Sequence, residues 1–163
     1  MNGALLHLSV NHIPVVGFPL CFLVLLAGAL RKSRDLVQAG MVGIILIVLV
    51  ALVAWKSGGP AARTLFQYPG VSVERARIHE HAEAAEYAVI AGGILGALSL
   101  FGWWLSRRPE GAPAGLVWVI IFGCLFASVV LARVAHLGGL IRHPEIESGA
   151  PNAMMMAPAK PAQ

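Results

Sequence analysis

Charge is scarce in this sequence. Of its 163 residues, 12 % are Asp, Glu, Lys or Arg and 58 % are hydrophobic, which excludes an ordinary soluble domain, where about a quarter are charged. Cysteine is nearly absent: Cys21 and Cys124 both fall inside apolar runs, so a disulfide framework is excluded and both are expected as small packing residues. Residues 1 to 12 contain no Lys or Arg and precede no small-residue cleavage pattern, so the first apolar run is expected to be retained and not removed as a signal peptide. No H-E-x-x-H zinc motif, phosphate loop or nucleophile motif is present, which leaves little basis for a catalytic reading. The net charge of +4 comes without a basic face interleaved with aromatics, so it points to topology and lipid contact, and nucleic acid is not an expected partner.

Apolar residues dominate, with a mean hydropathy of +0.76. Four apolar stretches, about residues 13–30, 36–55, 84–105 and 116–137, each approach the roughly 20 residues a helix needs to cross about 30 Å of hydrocarbon. The expected fold is all-α, an integral membrane four-helix bundle over residues 1–143 followed by a flexible tail over 144–163. Arg31-Lys32-Ser33-Arg34-Asp35 closes one antiparallel helical hairpin, and Ser106 to Gly115, with Pro109 and Pro113, closes the other. Ser57-Gly58-Gly59-Pro60 reads as the end of the second helix, Pro69-Gly70 as a turn, and Ser72 as an N-cap for the third. Leu65, Phe66 and Tyr68 have the character of a segment at the lipid interface. Met154-Met155-Met156 belongs to a tail rich in Pro and Ala and reads as part of it, not as a Cu(I) cluster.

Arg31, Lys32, Arg34, Arg107 and Arg108 crowd the two short loops. Such density normally stays in the cytoplasm, so both termini and the loop Lys56–Glu86 are expected outside, in the periplasm of a bacterial inner membrane. All six histidines, His7, His12, His79, His81, His136 and His143, then lie on that outer side.

His81 opens the third span above Ala85, Ala88, Gly92 and Gly96, and His136 closes the fourth above Ala132, Ser128 and Cys124. Small residues beneath an imidazole admit two readings. They form a seam that lets helices approach closely, or they leave room for a flat macrocycle whose iron takes axial His ligands from facing helices. His12, at the mouth of the first span, is the third candidate ligand. His7, His79 and His143 lie further out, with solvated surface as the default. Arg133, one turn inside the fourth span, needs a partner such as Glu83 or Glu86, a route to the interface, or a haem propionate. His79, Glu83 and Glu86 supply the polar groups around the expected site.

Five segments carry a family resemblance: Val10-Asn11-His12-Ile13-Pro14, Ser57-Gly58-Gly59-Pro60-Ala61-Ala62, Pro69-Gly70-Val71-Ser72, Ile78 to Glu86, and Ala135-His136-Leu137-Gly138-Gly139. Together they resemble a bacterial family of four-span membrane proteins catalogued as domain of unknown function 2231, over about residues 10 to 143. The resemblance implies a four-span fold and marks His12, His81 and His136 as the positions of the family pattern. The first motif departs from that pattern, which often has a second His upstream; His7 is the residue available for it.

The expected function is a membrane subunit binding haem b near the periplasmic face through two of His12, His81 and His136, with Arg133 nearby. It would move electrons between a periplasmic cytochrome or other redox subunit and the quinone pool. Two alternatives stand beside it: a cofactor-free structural or assembly subunit docking a larger complex, and a Zn or Cu site at the outer face completed by Glu80 or Glu83.

Overall fold

The computed structural model describes residues 3–67, 74–143 and 146. Their regular structure is all helical: α1 (Gly3–Val10), α2 (His12–Leu30), α3 (Arg34–Gln67), α4 (Arg75–Ser106) and α5 (Ala114–Arg142). Helix α2 packs on α3 and α5, and α4 packs on the same two, so four long helices close into a bundle with α1 laid against α3. Each of the four rods, counting α1 and α2 together, is long and apolar enough to cross a membrane.

Helical periodicity selects the core. Phe18, Cys21 and Leu25 from α2, Met41, Ile44 and Val48 from α3, Leu95 from α4, and Val117, Ile120, Ile121 and Cys124 from α5 form one buried cluster, each set spaced three or four residues apart as one helix face requires. Both cysteines are free and buried, and the Cys124 thiol donates to the Phe18 carbonyl at 3.1 Å. Only 28 to 33 % of the most apolar stretch of each rod is buried within the bundle. The remaining faces carry Leu20, Leu23, Leu46, Leu49, Ile90, Ile94, Phe122 and Phe126 exposed, an outer surface too apolar for water.

Small residues set the helix approach. A Cβ on Gly28 would lie 2.8 Å from the Val37 backbone nitrogen, so α2 and α3 meet there backbone to backbone, as small-residue seams allow. Gly96 in α4 makes room for the Val48 side chain, whose Cγ atoms would lie 3.3 Å from a Cβ placed there.

The helices overrun the apolar stretches. At about 1.5 Å per residue, the 34 residues of α3 and 32 of α4 extend roughly 50 Å, against about 30 Å of hydrocarbon. The expected helix stop at Ser57-Gly58-Gly59-Pro60 is not made; α3 passes through it to Gln67. Pro60 forgoes one backbone hydrogen bond, but Ala54, Ser57 and Ala61 are buried on the flank where α1 packs, and that tertiary contact outweighs the local breakers. The first rod likewise starts earlier than residue 13. Asn11 keeps helical angles (φ −63°, ψ −27°) and donates its N–H to the His7 carbonyl at 2.9 Å, so α1 and α2 run on with scarcely a break. Leu65 and Phe66 belong to the last turn of α3, where the Arg75 guanidinium lies 5.2 Å from the Phe66 ring centre. Helix α4 starts from Glu74 without a side-chain cap; Tyr68, Pro69-Gly70, Ser72 and, Ile146 aside, the tail from residue 144 lie outside the described residues.

The two short loops are tied across the hairpins. The Arg34 guanidinium donates to the Pro109 carbonyl at 2.8 Å and the Gln38 amide to the Ser106 carbonyl at 3.1 Å, capping the end of α4 from α3. Helix α2 ends with Ser33 N–H on the Gly28 carbonyl at 2.9 Å and Lys32 N–H on Ala29 at 3.3 Å. This pairing requires a left-handed residue, which Lys32 supplies at φ 52° where glycine is usual.

Candidate histidine site

Antiparallel packing brings the start of α1, the end of α3, the start of α4 and the end of α5 to one end of the bundle, and with them the histidines. Their surroundings differ. His12 and His136 are exposed, as is Arg133. His7 and His81 are half-buried, and each is anchored to the backbone of a neighbouring helix.

His7 reaches from α1 to α3. Its Nδ1 lies 2.9 Å from the Ala54 carbonyl and 3.3 Å from the Ser57 hydroxyl, which itself donates to Ala54 at 2.9 Å. The spacing of Ala54, Ser57, Gly58 and Ala61 cuts a shallow notch along α3, and the His7 ring occupies it; a Cβ on Gly58 would lie 3.6 Å from His7 Cε1. His81 reaches from α4 to α5, with Nδ1 3.0 Å from the Val134 carbonyl. Gly138, one turn on from Val134, leaves the space for it: a Cβ there would stand 3.1 Å from His81 Cε1.

A carbonyl only accepts, so in both residues Nδ1 carries the proton and Nε2 keeps its lone pair. Neither Nε2 has a protein partner among the described residues. A metal-ligating imidazole is typically prepared in this way, its second nitrogen bonded to a carbonyl that fixes tautomer and ring plane.

The expected trio is therefore not assembled as drawn. Of His12, His81 and His136, only His81 faces inward, and among the described residues no group of three His, Cys, Asp or Glu is placed to hold a metal ion. The α4 face read from His81 through Ala85, Ala88 and Gly92 does turn inward, passing from half-buried to buried. His136 sits two residues beyond Val134, about 200° round the helix, so when Val134 and Gly138 meet His81, His136 faces away. Arg133 makes no ion pair with Glu83 or Glu86 among the described residues; Glu83 lies instead 3.8 Å from His79, both well exposed. His7, given solvated surface as its default and also named for the upstream histidine of the family pattern, is half-buried and anchored to α3. The available signal was the run of small residues in α3, which reads as a helix stop but serves as the seat for α1.

Two imidazoles are fewer protein ligands than a lone Zn ion takes, which is three or four. A macrocycle supplies four of the iron's six donors and asks two imidazoles of the protein. Compared with protein-family models, curated proteins and solved structures, the chain matches none.

Proposed function

We propose that this chain is a subunit of the bacterial inner membrane that holds a b-type haem at its periplasmic end through His7 and His81, and relays electrons between a periplasmic carrier or redox subunit and the quinone pool. The observation that carries the reading is the paired anchoring: two imidazoles from different helices, each with Nδ1–H spent on a backbone carbonyl and Nε2 left to donate. The haem, when bound, supplies one-electron chemistry. The chain's own residues orient the rings, and the small residues Gly58 and Gly138 let them approach the neighbouring helices.

Orientation rests on the cations of the two short loops, which belong in the cytoplasm by the positive-inside tendency. His12, His136 and Arg133 then occupy the outer rim, where Arg133 reaches the headgroup level by extending its side chain.

The test is the absorption spectrum of the detergent-extracted chain, reduced against oxidised. Soret and alpha-band changes are expected, abolished by His81→Ala and by His7→Ala, and retained in His12→Ala and His136→Ala. A folded protein without these bands overturns the reading.

One observation favours a second reading: the same two hydrogen bonds link α1 to α3 and α4 to α5, so the histidines also serve as helix clamps in a cofactor-free assembly subunit. On that reading His81→Ala lowers the melting temperature of a protein that never carried a haem spectrum.

A further inference from the structure

The opposite end of the bundle holds a cleft of about 310 Å³ between the two short loops. Its buried side is formed by Gly28, Val117 and Ser106 with half-buried Ala29 and Val37, apolar but for the Ser106 hydroxyl, which donates to the Trp103 carbonyl, and the exposed Trp118 ring borders it. Its exposed side is charged, with Lys32, Arg34 and Glu110 all lining the same space.

These charges are not spent on each other: among the described residues Glu110 has no ion-pair partner, and Arg34 uses one N–H of its five on Pro109. Two cations and one separated carboxylate facing a common cleft at the end of apolar spans present a defined pattern. The cations suit a phosphate, the carboxylate suits an ammonium, and the apolar side with Trp118 suits the first methylenes of a chain. Nearby, Arg107 lies 4.6 Å from the Trp103 ring centre and Arg108 4.0 Å from that of Trp104. Cation and ring thus share the level at which Trp and Arg anchor a span to headgroups.

We propose that this cleft is a site for a phosphoethanolamine lipid headgroup, with Lys32 and Arg34 on the phosphate and Glu110 on the ammonium. It rests on the membrane reading and is independent of the haem. A headgroup lacking the ammonium leaves Glu110 facing the phosphate unpaid, and a quaternary choline offers Glu110 no N–H donor.

Lys32→Gly is a clean probe, because glycine accepts the left-handed backbone at that position while removing the charge. The full chain in detergent is offered an equimolar mixture of phosphatidylethanolamine, phosphatidylglycerol and phosphatidylcholine with identical acyl chains, and bound lipid is counted by native mass spectrometry. Phosphatidylethanolamine is expected to exceed either competitor by about fivefold, the scale of one partly exposed charged hydrogen bond. Glu110→Gln should bring it to parity with phosphatidylglycerol, and Lys32→Gly should lower the binding of both phospholipids. Preference for phosphatidylglycerol in the unaltered chain, or an unchanged ratio in Glu110→Gln, overturns the proposal. Release of the chain from membranes by alkaline carbonate would instead overturn the membrane reading on which it stands.

Discussion

At one end of the bundle, five cations and two carboxylates, Asp35 and Glu110, sit in or beside connections of three and seven residues; at the other, five histidines ride on helices that overrun their apolar stretches and His143 follows the last of them. The first end combines the local close of α2 on Lys32 with side-chain bonds from one short loop to the other, Arg34 on Pro109 and Gln38 on Ser106. The second is held by contacts between residues far apart in the chain, His7 with Ala54 and His81 with Val134. Short loops make a hairpin end rigid at little entropic cost, which suits a surface that meets lipid. Long overhanging helices instead expose backbone carbonyls and small-residue notches at which ring nitrogens can be fixed, which suits a ligand site.

The difference between the ends can be probed by substitution. The largest effect is expected at the histidine end, where His81→Ala removes a half-buried imidazole bonded across two helices; on the proposed haem reading the whole difference spectrum should vanish, while His136→Ala, on an exposed face, leaves it intact. Equal loss in both variants would mean that the rings are not distinguished by burial. Next comes Gly28→Leu, whose side chain meets the α3 backbone near the cation-rich end. Overpacking of about 3 kcal/mol is expected, read as a lower melting temperature in detergent, with no specific effect on the haem bands of the fraction that remains folded. Lys32→Gly should act in the other direction, stabilising by about 1 kcal/mol through relief of left-handed strain, measured in the same melt. The smallest effect belongs to Glu83→Gln, which removes an exposed contact to His79; a change under about 0.5 kcal/mol is expected, and a large loss of haem signal would show that this carboxylate supports the site after all.

Much of the architecture was legible in the residues. Four apolar stretches of bilayer length, the two tight cationic connections and the inward face of His81 through Gly92 follow from helical periodicity and composition, and the structure has them. The helix ends were not legible. Ser57-Gly58-Gly59-Pro60 carries every local mark of a stop, yet Ala54, Ser57 and Ala61 are buried where α1 packs, and that packing outweighs the propensity. The partner of His81 was hidden for a related reason: the Ala135 to Gly139 segment drew attention to its histidine, while the contact is made by the Val134 carbonyl and the missing side chain of Gly138.

Composition and spacing alone set the number of rods, their bilayer-scale length and the placing of the histidines at one end and of the two short connections at the other, because hydrophobic length and connection length are local properties of a chain. Which imidazoles turn inward was settled by helix against helix. Ring orientation depends on where a neighbour lacks a side chain and offers a carbonyl, and those neighbours lie 47 and 53 residues away.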